Sequence, residues 1–252
     1  MQPLVTILIP HFRTLPLTKV CLQLLQQHTD LSKVGVIVID NDSQDDSKVY
    51  LNRLSWLTYL ERKRKPNETP IQSHACALDL GLSFVSTPYV LSIHTDTLMI
   101  HYGWLSFLLK QIERDDMIAG VGSWKLESKP FHRRFFKRIE YLYQRWMKKK
   151  EKQTHYLRSH CALYRTDLLK KFQLQFSDGD YVAGKAIHET LVGKGFQMHF
   201  IPSEILRRYM IHVNHATTIL NPELSRKKSV DKELKRVQRM LMVFQQQEDC
   251  NT

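Results

Sequence analysis

The chain has 252 residues, of which 42% are hydrophobic and 25% charged, and its formal net charge is +12. Such a length buries a substantial core, and such a composition excludes an intrinsically disordered chain. The positive excess points to an anionic partner (nucleotide phosphates, nucleic acid or an acidic membrane surface) or else to a solvated basic surface.

The segment "MQPLVTILIPHF" has neither a basic leader nor a long apolar run, so it does not read as a signal peptide. No apolar run approaches the ~20 residues that a spanning helix requires. Cys21, Cys76, Cys161 and Cys250 are scattered without metal-finger or C-x-x-C spacing. They read as reduced thiols of a cytoplasmic protein, attached at most to the inner face of a membrane.

"LVTILIP" (Leu4 to Pro10) is a β-branched run stopped by proline, the pattern of a strand buried on both faces. "LPLTKVCLQLLQQHT" follows with Leu17, Val20, Cys21, Leu24 and Leu25 at helical spacing. "VGVIVID" (Val34 to Asp40) is a second buried strand, and "NDSQDDSKVYLNRLSWL" opens with capping residues and settles into a helix. "HACALDLGLSFV" predicts a helix, "PYVLSIHTD" a strand, "HYGWLSFLLKQIERD" a helix and "MIAGVGSWKL" a glycine-rich strand. Alternation of this kind implies an open, doubly wound α/β sheet with parallel strands. In such sheets ligands bind beyond the carboxyl ends of the strands. Pro10-His11, Asp40-Asn41-Asp42 and His94-Thr95-Asp96 all fall at such ends.

Between Lys125 and Lys152 the chain becomes strongly basic, with Arg133, Arg134, Lys137 and Arg138 among its cations. Phe135, Ile139, Leu142 and Trp146 recur there at helical spacing, which makes a basic amphipathic helix. Either its apolar stripe faces a core, or it contacts an anionic membrane or a charged acceptor. "HCALYRTDLL" then reads as strand, turn and helix, and a basic helix from about Glu223 to Gln247 closes the chain.

The first turn, "PHFRTLPLT", lacks the glycines of a dinucleotide fingerprint, and "GKG" at 193–195 lacks the rest of a phosphate-binding loop. Nothing resembles a nucleic-acid recognition motif, so charge alone speaks for that partner. The order of "VTILIPHFRT", "VGVIVIDNDSQDDS", "ACALDLGLSFVSTPYVLSIHTDTLMIHYGWL", "RSHCALYRTDLL" and "GKGFQMHFIP" instead resembles family 2 glycosyltransferases of the GT-A fold.

The resemblance implies one GT-A domain over residues 1–252: a mixed, open sheet flanked by helices and followed by a C-terminal helix. Residues 1–102 would form the nucleotide-binding half, 103–220 the acceptor half and 221–252 the basic helix. It further implies an enzyme that moves a sugar from a nucleotide-diphosphate donor to a glycan, lipid-linked or protein acceptor, with inversion. Pro10, His11, Arg13, Asp40, Asp42 and Thr95 would bind the nucleotide. His94 and Asp96 stand where the family carries its Asp-x-Asp motif for Mn²⁺ or Mg²⁺, and residues two apart in a strand point the same way. Imidazole is a competent ligand for first-row metals, so His94 departs from the pattern without abolishing it. A later histidine, His212 first and His215 second, would complete the metal set. The family's catalytic acid pair falls in register with "VAGKAI", where Ala183 and Gly184 stand. Asp180, with Asp178 beside it, His188 and Glu189 are the nearby groups able to take a proton. That departure leaves a second reading, a catalytically inactive GT-A domain that binds a nucleotide or glycan as an interaction module.

Overall fold

The computed structural model of the chain describes residues 2–124, 126, 155–213, 220 and 221. The basic segment, apart from Leu126, the closing helix and His215 lie outside the described residues. The main sheet takes β1 (Val5–His11), β2 (Val34–Asp40), β3 (Thr58–Glu61), β4 (Tyr89–Ile93), β6 (Ile118–Gly122), β7 (Cys161–Arg165) and β8 (Gln197–Phe200). Two short strands, β5 (Thr97–Met99) and β9 (Met210–His212), pair separately. The helices are α1 (Leu15–Gln27), α2 (Ser47–Leu51), α3 (Pro70–Ser83), α4 (Trp104–Ile112), α5 (Thr166–Lys171), α6 (Lys185–Gly193) and α7 (Ser203–Leu206).

The seven strands lie in the order β3-β2-β1-β4-β7-β6-β8. β1, β2, β3 and β4 run parallel, β7 runs antiparallel between β4 and β6, and β8 runs parallel to β6. The result is the mixed, open sheet that the family resemblance implies; the alternation of elements by itself implies parallel strands and does not announce the antiparallel β7. Alternation along each strand sorts the core into two layers. Val5, Ile7, Ile9, Val36, Val38, Leu91 and Ile93 pack with Leu22 and Leu25 of α1 and with Trp104 and Leu108 of α4. Leu8, Ile37, Ile39 and Val90 face the other way, onto Ala75 and Leu78 of α3 and Ile187 and Leu191 of α6. Burying one such aliphatic side chain stabilises the fold by ~1.5–3 kcal/mol. The sheet therefore cannot shed either helical layer.

Four features differ from the sequence reading. The helix expected over 41–57 shrinks to α2, and β3 forms where none is expected. β3 is half exposed and has no apolar run; its register with β2, Ile37↔Thr58 to Asp40↔Glu61, is what makes it a strand. α3 begins at Pro70 rather than near His74, because Thr69 and Gln72 cap each other's backbone N–H groups and proline occupies the first turn. Finally, "VLSIHTDTLMI" is two strands. β4 ends at Ile93, the chain turns through His94 to Asp96 with Thr97 N–H donating to the His94 carbonyl at 3.0 Å, and β5 leaves the main sheet.

Candidate active site

The turn after β4 explains the polar cluster at the sheet's carboxyl edge. His94 and Asp96 approach each other through this turn and not through the pleat of one strand. His94 Nδ1 lies 3.8 Å from Asp96 Oδ1, and His212 Nε2 lies 3.1 Å from the same oxygen. His212 arrives from over a hundred residues away because β9 pairs antiparallel with β5, in the register Thr97↔His212. Val213 N–H also donates to the Asp96 carbonyl at 2.9 Å. One donor atom from each of the three residues falls within 4.8 Å of the others. An ion ~2.1 Å from each ligand sets neighbouring ligands ~3.0 Å apart, so the set fits a divalent ion with small closure.

Two further imidazoles surround this group, and sequence reasoning missed both. His74 of α3 meets the His94 ring edge-on at 4.8 Å, and His160 stacks on His212 at 4.6 Å. Ser159 Oγ lies 2.9 Å from His94 Nε2 and 3.0 Å from His74 Nε2, while Ser123 Oγ lies 2.8 Å from His160 Nε2. Antiparallel pairing of β7 with β4 (Ile93↔Cys161) carries Ser159 and His160 to His94, a placement that no local pattern announces. Burial keeps these rings neutral. It lowers His74 to about 4 and His160 to about 3, and it holds His94 well below the ordinary imidazole range. Neutral imidazoles are what a metal requires.

Beside the cluster opens a cleft of about 290 Å³, lined among others by Pro10, Phe12, Asn41, Arg64, Ser73 and Thr95. His74 and His94 also stand on its wall. Pro10, His11 and Thr95 of the expected nucleotide site reach this wall; Arg13, Asp40 and Asp42 are not among its lining residues. The His11 ring faces inward, with Nδ1 2.8 Å from Thr18 Oγ1 and Nε2 2.7 Å from Ser47 Oγ. Both nitrogens are thus engaged in tying β1 to α1 and α2. Asp40 accepts from Ser43 N–H at 3.1 Å, from the Ser43 hydroxyl and from Tyr59 Oη–H at 3.2 Å. It organises the turn after β2, in which Asp42 adopts φ +67°. Arg13 is exposed, and its Nε–H donates to the Ser43 carbonyl at 3.1 Å. Asn41, from the same strand end as Asp40, and Arg64, which was unforeseen, stand on the cleft wall instead. Asn41 donates to Ser73 Oγ at 2.7 Å and accepts from Arg62 at 2.8 Å.

The candidate bases lie around α6. Asp180 is bound by Lys185 Nζ at 2.8 Å, Glu189 is exposed, and His188 is buried with its ring against Phe200 at 5.6 Å. Asp178 closes a turn by accepting from Gln175 N–H at 2.8 Å. The hydrogen bonds and ring contacts of these four reach no member of the His94 cluster. Gly184, one of the two residues in the register where the sequence resemblance leads one to expect an acid pair, has φ +85°, and a Cβ there would lie 2.7 Å from the Leu157 carbonyl. The backbone at this point admits only glycine without strain.

The architecture, a mixed seven-stranded sheet with helices on both faces and a polar edge after β4, defines a GT-A glycosyltransferase domain. The chain matches glycosyl transferase family 2 over residues 6–173 and belongs to that family. It superposes on the mannosyltransferase PcManGT from Pyrobaculum calidifontis, solved in complex with GDP-Man and Mn²⁺, with a TM-score of 0.58 and 18% identity. That match covers 80% of this chain and 55% of the other. S. aureus TarS 1-349 gives a TM-score of 0.55 at 12% identity, covering 87% of this chain and 62% of TarS. The chain therefore spans little more than half the length of these structural relatives. No curated protein matches the chain in sequence. Among the described residues, no helix is long and apolar enough to cross a membrane.

Proposed function

We propose that this protein transfers a sugar from a nucleotide-diphosphate donor to an acceptor hydroxyl, with inversion, using Mn²⁺ or Mg²⁺ held by His94, Asp96 and His212. The observation that carries this reading is the convergence of those three donors at the end of β4, with His94 also lining the cleft. A divalent ion there would offset the charge of a donor diphosphate as the leaving group departs. Within the cleft, the Arg64 guanidinium is set to pair with phosphate oxygens. Phe12 and Pro10 offer apolar faces to a base, and Asn41 and Thr95 offer hydrogen-bonding groups. A base must remove the acceptor's proton. Asp180, His188 and Glu189 remain the candidates, and His188 alone of the three is directed into the protein, with Nδ1 buried and lacking a hydrogen-bond partner. The free thiols Cys21, Cys76 and Cys161 support a cytoplasmic setting. A glycan, lipid-linked or protein acceptor agrees with this chemistry equally.

One observation favours the second reading, a nucleotide- or glycan-binding module without activity: the left-handed Gly184 excludes an acid where the family carries one. Thermal-shift titration with UDP and GDP, with Mn²⁺ or with chelator, tests the proposal. Stabilisation by a nucleotide only when the ion is present, and its loss in Asp96→Ala, is the expected result. Equal shifts with and without chelator would remove the metal from the reading, and no shift from either nucleotide would overturn it. Sugar transfer measured with the same donors then separates enzyme from module.

A further inference from the structure

Ser159 is a buried hydroxyl placed between two imidazoles, 2.9 Å from His94 Nε2 and 3.0 Å from His74 Nε2. A hydroxyl has one proton and two lone pairs, so Ser159 can donate to only one of the two rings and can accept from either. Two arrangements follow. If Ser159 donates to His94 Nε2, the neutral His94 carries its proton on Nδ1, towards Asp96, and offers an ion no lone pair. If His94 Nε2–H donates to Ser159, the His94 Nδ1 lone pair faces Asp96, and the Ser159 proton can then go to His74 Nε2. Only this second arrangement makes His94 a ligand. The far side of the site is held in a comparable way: Ser123 bonds His160, which lies nearly parallel on His212 at an interplanar angle of 19°.

We propose that Ser159, backed by His74, is the positioning residue that presents His94 Nδ1 as a ligand, and that the resulting two-imidazole, one-carboxylate set selects first-row transition ions over Mg²⁺. The inference rests on the reading that His94, Asp96 and His212 hold the ion. Its physical basis is ligand preference. Mg²⁺ is a hard ion that demands oxygen and dehydrates reluctantly, whereas Mn²⁺ and Co²⁺ accept imidazole. Outer hydrogen bonds fix the tautomer and direction of a ligating histidine, and their loss costs ~10–100-fold in metal affinity.

The test is direct metal binding to the metal-free full chain, by calorimetric titration with Mn²⁺, Co²⁺ and Mg²⁺ and without nucleotide. Pulsed EPR of bound Mn²⁺ counts the coordinated imidazole nitrogens. The parent should bind Mn²⁺ and Co²⁺ at least ~10-fold more tightly than Mg²⁺, with two nitrogens in the EPR signal. Ser159→Ala should weaken Mn²⁺ and Co²⁺ by ~10–100-fold, leave one coordinated nitrogen and barely move Mg²⁺. Ser159→Thr keeps the hydroxyl and should keep both nitrogens, which separates positioning from a packing defect. His94→Asp should raise Mg²⁺ affinity relative to Mn²⁺. The proposal is overturned if the parent binds no ion or favours Mg²⁺, if Ser159→Ala retains both nitrogens, or if the Thr and Ala variants lose equally. Failure of nucleotide binding alone would sink the glycosyltransferase reading and leave this one standing, because no step of the titration uses nucleotide.

Discussion

Arg64 shows what a single residue adds to the site. Its guanidinium lies over Phe12 at 5.5 Å and donates through Nη2 to the Glu68 carbonyl at 3.0 Å, which fixes it on the cleft wall. Charge-assisted bonds to phosphate contribute about 1.5–3 kcal/mol, so Arg64→Ala should weaken UDP or GDP by ~10–100-fold. Metal affinity without nucleotide should stay unchanged, as calorimetry with each ligand can establish. An unaltered nucleotide affinity would return Arg64 to a structural role. His11 gives the opposite lesson. It stands at a strand end beside Pro10, yet it shares parity with Val5, Ile7 and Ile9, so its ring points into the layer of α1 and α2. Position along the chain placed it at the edge; the pleat decided which way it faces.

At the scale of elements, two segments carry consequences. α6 starts from Gly184, whose φ of +85° and contact with Leu157 leave no space for a side chain. Gly184→Asp should therefore cost ~2–3 kcal/mol from backbone strain alone, read as a lower urea midpoint. It should not create or enhance sugar transfer. A rise in activity would mean that the family's acid can be restored at this position. The loop between β3 and α3 is held by Arg62 and Glu68, whose side chains are only 10% and 6% exposed. The Arg62 guanidinium holds the Glu68 carboxyl below its ordinary value of 4.5. A depressed carboxylate stabilises the fold above its unfolded value, and that contribution is lost as pH falls through the folded value. Glu68→Gln should accordingly lower stability at neutral pH and flatten its decline below about pH 4.5. Parallel urea-midpoint profiles for the parent and the variant would show the pair to be uncoupled from folding.

Across the whole molecule, the sheet's two faces share one set of strands, so damage to either layer is felt globally. Leu91 is fully buried in the layer of α1 and α4. Leu91→Ala should cost ~2–5 kcal/mol through lost burial and the cavity left behind, with one cooperative transition by fluorescence and by circular dichroism. Two separated transitions would mean that the layers unfold independently. The same sheet builds the site: β4 supplies the turn, β7 brings Ser159 and His160 beside it, and the β5–β9 pair delivers His212.

The alternating apolar strands, the helices between them and the ordered family motifs were legible in the chain, because periodicity and strand-end residues are local properties. So were His94, Asp96 and His212 as a candidate metal set, because the order of the family's motifs along the chain implies them. The edge strand β3, the inward turn of His11 and the glycine-only geometry at 184 were not legible, because each depends on a neighbour distant in sequence. Nor were His74, on α3, and Ser159 and His160, in the turn just before β7. The packing of α3 on the sheet brings His74 against His94, and the antiparallel insertion of β7 beside β4 brings Ser159 and His160, and a cluster made by such tertiary pairing leaves no spacing along the chain to read.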